Sequence, residues 1–293
     1  MTGESAPTAG TSPRAPLEAD WLGACRRMVA AQRELFASEP TIAGRTEYAG
    51  RGEGGDNTLV IDRQAEDIVF AELEALHETG HAFTAISEER GLIEFGDGSA
   101  ATRVVIDPID GSLNARRTIP AHSLSIAVAS GPAMGDVEFG FVHDFGAGEE
   151  FAAVAGAGAR LGGRPIRAEG PGYGLEIVGM EAAKPERIVP MLRELEGKAY
   201  RIRVVGSIAI TVCWVAAGRL DGMLTGRACR SVDAAAAQLI AREAGAAVEF
   251  SGHAGDADLS LDARYHVSAA LDEEMLETLR PVQALAEPVP APE

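Results

Sequence analysis

No stretch of this 293-residue chain offers the roughly 18 consecutive apolar residues of a membrane span, and its first residues lack the charged-then-apolar pattern of a secretion signal. A cytoplasmic protein without a membrane partner is the expectation. Cysteine is scarce: Cys25, Cys213 and Cys229 lie far apart and match no metal-ligand spacing, so they read as reduced, mostly buried thiols. Positive charge is scarce too. The 26 Lys and Arg face 44 Asp and Glu, a net charge of −18, which argues against nucleic acid as a partner. Only Lys184 and Lys198 are lysines, a bias that reads as genomic composition, not as function.

At 46% apolar content the chain can bury one large core or two connected ones. Residues 1–16, rich in Thr, Ser, Pro, Gly and Ala, predict a disordered tail, as do residues 287–293. Residues 17–36 place Trp21, Leu22, Cys25, Met28, Val29, Leu35 and Phe36 at helical spacing and predict a core-facing helix. Antiparallel strands with Gly-containing turns are predicted at 123–129, 137–143 and 150–155. From about 171 the pattern alternates: strand 175–179, helix 186–195, strand 202–205, helix 207–217, helix 233–244, strand 265–269. This shift sets an expected boundary near 168, between an α+β N-terminal part (17–168) and an α/β C-terminal part (169–286).

The densest chemical signal is Ile106-Asp107-Pro108-Ile109-Asp110-Gly111-Ser112. The preceding Arg103-Val104-Val105-Ile106 predicts a buried strand, and Pro108 is expected to stop it, leaving Asp107 and Asp110 on a turn. Gly111 permits close backbone approach, and Ser112 and Asn114 are helix-capping types, so the following amides can point at an anion. Carboxylates three apart, with the Ile109 carbonyl between them, can hold two hard cations on one side of the turn. Alone, the stretch is equally an Asp-Pro turn in an ordinary loop.

Three other segments add acids at the ends of elements. Glu88-Glu89 follows the apolar run 82–86 and forms a second carboxylate pair. Asp233 opens a strongly helical, Ala-rich stretch closed by Gly245, although an Asp there is also a plain N-cap. Asp62 stands where a strand-like run meets an amphipathic helix carrying Ala65, Ile68, Val69, Leu73 and Leu76, and by itself is also a cap.

In this order and spacing, the four segments resemble the inositol monophosphatase and fructose bisphosphatase superfamily of metal-dependent phosphatases. The resemblance runs from about residue 45 to about 270. Its pattern is an acidic pair after a strand (Glu88-Glu89), then Asp-Pro-Ile/Leu-Asp-Gly-Thr/Ser (Asp107 to Ser112), and much later an Asp opening an Ala-rich helix that ends in Glu-Ala-Gly (Asp233 to Gly245). Gly206-Ser207-Ile208-Ala209 before a helix fits as well. The resemblance implies a five-layer αβαβα sandwich of the α+β sugar phosphatase type, with the metals at the junction of the two parts and a homodimer as the common assembly.

The resemblance also implies a working site. Glu88, Asp107 and the carbonyl of Ile109 would hold one Mg²⁺, and Asp107, Asp110 and Asp233 a second, roughly 3.5 to 4 Å away. Glu88 or Glu89 would help bind a third, weaker ion. The hydroxyl of Ser112 would pair with Asp62 to orient the attacking water, so the catalytic set is Asp62, Ser112 and Glu88. Phosphate oxygens would take the amides of Gly111 and Ser112, and Asp110, Gly206 and Ser207 would complete the substrate-binding residues. For a second phosphate, Arg201 and Arg203 lead the candidates, followed by Arg116, Arg117, Arg227 and Arg230. Arg51, on the Gly-rich segment 50–55, stands where relatives have a mobile loop near the metals.

Departures from the pattern bear on substrate, not on ligands. Val232 replaces a frequent aromatic, Ala237 a frequent Gly, and Ser112 the commoner Thr. Gly226 stands where animal-type relatives carry a Glu that contacts inositol hydroxyls, which weakens strict inositol specificity. The runs 55–62 and 110–115 resemble the archaeal-type branch, whose members often hydrolyse both inositol monophosphates and fructose 1,6-bisphosphate. The expected partner is therefore a small inositol or sugar phosphate. Alternatives are a phosphatase for 3′-phosphoadenosine 5′-phosphate and a non-catalytic relative that serves as a binding partner.

Overall fold

The computed structural model describes residues 18–51, 57–96, 98, 100–182, 184–251 and 257–288. The expected N-terminal tail, residues 289–293 and most of the 50–55 segment lie outside them. Helix α1 (Trp21–Ser38) starts later than its apolar periodicity, because Asp20 caps it by accepting the Gly23 N–H at 2.9 Å. After the short α2 (Ile42–Arg45), β1 (Tyr48–Arg51) and β2 (Asn57–Leu59) pair antiparallel and lead into α3 (Val60–Glu78).

An eight-stranded sheet follows, built from β3 (Phe83–Ser87), β4 (Gly91–Phe95), β5 (Arg103–Asp110), β6 (Ser123–Ala129), β7 (Val137–Asp144), β8 (Glu149–Val154), β9 (Ala159–Leu161) and β10 (Arg164–Ile166). The five-residue α4 (Ser112–Arg116) lies between β5 and β6. Strand order is β10-β9-β8-β7-β6-β5-β3-β4, antiparallel except for the β3/β5 pair. The strands predicted at 123–129, 137–143 and 150–155 are β6, β7 and β8, the first two joined through a 3₁₀ turn at Met134–Asp136 and the last two by a short turn.

A second sheet begins at β11 (Leu175–Glu181). After α5 (Pro185–Glu194) come β12 (Ala199–Arg203), α6 (Ile208–Ala216), β13 (Gly222–Thr225), α7 (Ser231–Glu243), β14 (Ala247–Ser251), β15 (His266–Ala270) and α8 (Glu273–Gln283). The order β12-β11-β13-β15-β14 is parallel across the first three strands and antiparallel beyond them.

Three apolar cores stack these elements into five layers. One, with Met28, Phe70, Leu73, Phe83 and Phe141, joins α1 and α3 to the outer face of the large sheet. The largest lies between the two sheets around α6 and α7, with Val212, Ala236, Ile240 and Tyr265. The third, with Met180, Met191, Leu224 and Leu279, packs α5 and α8 on the far face of the small sheet. The result is the αβαβα sandwich expected. Ala234 to Ala237 on α7 are all buried, and the helix sits so close to β7 that a Cβ on Gly140 would lie 2.6 Å from the Ala236 carbonyl. Small residues on both sides are a packing requirement there, and a larger side chain at either would cost roughly 1–3 kcal/mol.

Four local expectations are corrected. Pro108 does not end its strand: β5 runs on to Asp110 through an irregularity between Asp107 and Asp110, where a residue without an N–H breaks no ladder bond. Strand β12 is Ala199–Arg203 and not 202–205, because the amides of Val205 and Gly206 are taken by Glu181 instead of a neighbouring strand. Helix α7 begins at Ser231, which puts Asp233 in its first turn and not at its cap. Glu287, placed in the C-terminal tail from sequence, pairs with Arg187, and its carbonyl lies 2.6 Å from His266 Nε2.

Candidate active site

Burial carries an electrostatic cost at the end of β5. Asp107 is only 4% exposed, and its carboxylate accepts the Ile109 N–H at 3.0 Å across the irregular strand end. From β3, one strand away, the turn at 88–90 brings Glu88 alongside, and from α7 comes Asp233. Carboxylate oxygens of Glu88, Asp107 and Asp233 all lie within 4.8 Å of one another, the metal-sized group of acids found among the described residues. Three hard oxygen donors at this separation suit a hard divalent cation and no soft one.

Each acid is held by its surroundings. Asp233 accepts the backbone N–H of Arg230 at 2.8 Å, and the Arg230 guanidinium pairs with Glu88. The turn carrying Glu88 and Glu89 is fixed from α3: buried Glu66 accepts the Ser87 hydroxyl and lies 3.3 Å from Arg90 Nε, while Arg90 stacks over Phe70 at 4.3 Å. Asp62, in the first turn of α3, accepts the Leu59 N–H at 3.3 Å.

Without a cation this arrangement is electrostatically unfavourable. Burial pushes the Asp107 carboxyl well above the usual carboxylate range, and its neighbours Asp110, Glu88 and Asp233 push it further. Burial, then Glu88 and Asp110, raise Asp233 to about 7. Burial raises Asp110 to about 6 against its hydrogen bonds to Ser207 and Ala209, and raises Asp62 to about 6 against its bond to Leu59. Four acids that resist ionisation in one place form a site whose charge a bound cation would offset.

A cavity of about 310 Å³ opens onto Asp62, Glu88, Glu89 and Asp107. It is lined by Asp62, Glu88, Glu89, Asp107, Pro108, Ile109, Ser112 and Arg116, a volume suited to a small molecule. Gly111 turns the chain into α4 with φ +88°, and a Cβ there would meet the carbonyls of Ala121 at 2.9 Å and Gly206 at 3.0 Å. Only glycine fits that corner.

The expected residues are not all arranged alike. Asp62 and Ser112 share the cavity wall without a hydrogen bond between their side chains. Asp110 stands beside the cluster but directs its carboxylate to the start of α6: it accepts the Ser207 hydroxyl, the Ala209 N–H at 2.8 Å and the Ile208 N–H at 3.3 Å. Arg201 and Arg203 lie on the edge strand β12, outside the cavity lining, where each donates to a nearby backbone carbonyl and Arg201 stacks on Tyr200. Arg116 is the basic residue that lines the cavity.

Comparison with known proteins follows the same lines. The profile described as the Inositol monophosphatase family matches residues 23–284. The chain belongs to the inositol monophosphatase family. Membership makes it a phosphatase, a hydrolase of phosphate esters. A fructose-1,6-bisphosphatase/inositol-1-monophosphatase of Methanothermobacter thermautotrophicus is 33% identical over 284 residues, 88% of this chain and 96% of that protein. A protein of Pasteurella multocida named Nus factor SuhB is 33% identical over 204 residues, 67% of this chain and 73% of its own. Among solved structures, an inositol monophosphatase–fructose 1,6-bisphosphatase superposes with a TM-score of 0.75 at 27% identity, covering 90% of this chain and 99% of that one. The archaeal-type, dual-activity resemblance thus holds for this family member.

Two supporting contacts of the site carry no sequence signal. Glu181 takes the amides of Val205 and Gly206, and Arg230, a candidate for a second phosphate from sequence, pairs instead with Glu88 across 142 residues.

Proposed function

We propose that this family member hydrolyses a small phosphomonoester, an inositol monophosphate and also fructose 1,6-bisphosphate, in a Mg²⁺-dependent reaction. The observation that carries this reading is the convergence of Glu88, Asp107 and Asp233 within 4.8 Å at a cavity of small-molecule size. Glu88, Asp107 and the Ile109 carbonyl would hold one cation and Asp107, Asp110 and Asp233 another, and Glu88 or Glu89 would help hold a third. Bound magnesium supplies charge neutralisation at the phosphate and a water of lowered pKa. The chain's own residues supply the rest. Asp62 and Ser112 orient the attacking water, and Asp62 accepts its proton. Amides of Gly111 and Ser112 receive phosphate oxygens, while Asp110, Gly206 and Ser207 form the wall toward the alcohol. Clustered acids alone would repel a phosphate dianion, so activity requires the metal.

The relative named Nus factor SuhB motivates a second reading, a protein that serves by binding a partner. The intact acids favour catalysis. Phosphate release from inositol 1-phosphate, fructose 1,6-bisphosphate and 3′-phosphoadenosine 5′-phosphate, each with Mg²⁺ and with chelator, tests the proposal and ranks the substrates. Hydrolysis should fall about 10³-fold or more in Asp107→Asn. A wild-type protein inert toward all three, or an Asp107→Asn variant as active as wild type, refutes it. The homodimer and cytoplasmic location stay part of the proposal; no described helix is long and apolar enough to cross a membrane.

A further inference from the structure

Glu181 ends β11 at only 1% exposure, yet it is neither in the carboxylate cluster nor on the cavity wall. A carboxylate so placed is costly unless its oxygens are bonded. Here one oxygen accepts the Val205 N–H at 3.0 Å and the Thr211 hydroxyl at 2.7 Å, and the other accepts the Gly206 N–H at 2.7 Å. Every one of these donors belongs to the loop between β12 and α6 or to the first turns of α6.

That loop holds Asp110 and the corner at Gly111. Its Ser207 hydroxyl and the Ile208 and Ala209 amides hold Asp110. Its Val205 carbonyl accepts from Asn114 Nδ2 at 2.8 Å, which ties it to α4. The Gly206 carbonyl closes the space over Gly111. A chain of hydrogen bonds therefore runs from Glu181 through the loop to the Asp110-Gly111-Ser112 corner, bypassing Glu88, Asp107 and Asp233.

We infer that Glu181 is a positioning residue for substrate: it sets the loop at 205–207 against Asp110 and Gly111, so that the alcohol part of the phosphate ester meets a preformed wall. The inference rests on the phosphatase reading above for its link to substrate. Gln at 181 keeps one acceptor oxygen but turns an NH₂ toward a backbone N–H, so one amide of the loop loses its acceptor. The loop should loosen while Glu88, Asp107 and Asp233 stay in place; of the acids proposed to hold metal, Asp110 alone is bonded to the loop and the start of α6.

The test compares wild type with Glu181→Gln, and with Thr211→Val as a gentler variant that removes one donor and keeps the side-chain shape. Three measurements are made: KM and kcat for inositol 1-phosphate with Mg²⁺, Mg²⁺ affinity by calorimetry without substrate, and amide hydrogen exchange across 203–211. In Glu181→Gln we expect KM to rise about tenfold with kcat changed much less, affinity for the Mg²⁺ held by Glu88, Asp107 and the Ile109 carbonyl within about twofold of wild type, and exchange at 205–206 faster by about tenfold. Thr211→Val should show the same pattern more weakly and covers the case of a Gln variant that does not fold. Wild-type KM in both variants, or affinity for the Mg²⁺ held by Glu88, Asp107 and the Ile109 carbonyl falling in step with KM, overturns the inference. Hydrogen exchange reads the loop whether or not the protein hydrolyses this ester. Unchanged exchange at 205–206 therefore defeats the positioning role by itself, while an inert wild type with a loosened loop defeats only the phosphatase reading.

Discussion

Arg230 binds both ends of the acidic cluster: its guanidinium pairs with Glu88, and its backbone N–H donates to Asp233 at 2.8 Å. One residue thus links acids from the two halves of the chain. Any cation entering between them shares Glu88 with a positive charge already there.

Arg230→Gln is therefore expected to bind Mg²⁺ more tightly, because the cation no longer competes with a guanidinium. The pair is partly exposed, at 17% and 31% of its side chains, so the gain is modest. About 1 kcal/mol, or roughly fivefold in affinity, is reasonable. The metal-free variant should melt at a lower temperature than wild type, since the cluster loses its counter-charge. Calorimetric titration with Mg²⁺ and a thermal melt in chelator check both parts; equal Mg²⁺ affinity sinks the idea.

The pH dependence of metal-free stability follows from the raised acids. An Asp whose folded pKa lies above its unfolded value stabilises the fold fully below about 3.8, and that contribution fades as pH rises through the folded value. For Asp233 that value is about 7, and Asp107 is raised as well. Buried His122 and His143 act in the opposite sense: burial lowers both to about 4, so their contribution is lost as pH falls below about 6.5. The window between pH 6.5 and 8 isolates the acids. In chelator the protein should melt several degrees higher at pH 6.5 than at pH 8, and saturating Mg²⁺ should remove the difference. A metal-free melting temperature that rises with pH across this window contradicts the assignment.

Gly111→Ala should be severe. Its φ of +88° costs an alanine roughly 1–2 kcal/mol. The added Cβ also meets two carbonyls at 2.9 and 3.0 Å, both on backbone that cannot swing aside. We expect a melting temperature lower by several degrees and loss of most hydrolysis, with Mg²⁺ affinity less affected because Gly111 is no ligand. Near-wild-type melting shows that the corner relaxes more readily than its geometry implies.

The difference between what could be read from sequence and what could not is one of range. Strands β6 to β8 follow from apolar runs and glycine turns within a few residues, and Glu88, Asp107 and Asp233, each marked by its own short segment, converge as one carboxylate group. Pro108 misled because a proline stops a regular strand, whereas in an irregular one it costs no ladder bond. Strand β12 ends before Val204 and Val205, residues that suit a strand, because the tertiary position of Glu181 takes the Val205 amide away. The turning of Asp110 toward α6, 97 residues on, and the Arg230–Glu88 pair across 142 residues depend on packing that no local pattern encodes.

Arg116 and Asp62 share the cavity wall, and the Arg116 charge opposes the rise that burial imposes on Asp62. If Asp62 accepts the proton of the attacking water, it must be ionised, so kcat/KM falls as pH drops toward and below about 6. Arg116→Gln removes the opposing charge and should move that acid limb upward by a measurable fraction of a pH unit, with KM raised as well. Arg203→Gln, on the exposed edge strand, should leave the limb in place, and a selective rise in KM for the bisphosphate would mark Arg203 as a contact for the second phosphate. Asp62→Asn should lower kcat by about 10²- to 10⁴-fold and abolish the limb. The decisive measurement is the pH–rate profile of the three variants under saturating Mg²⁺, where cations bound nearby shift the limb to lower pH in all of them alike. An acid limb that survives Asp62→Asn assigns it to another group and removes Asp62 from the proton path.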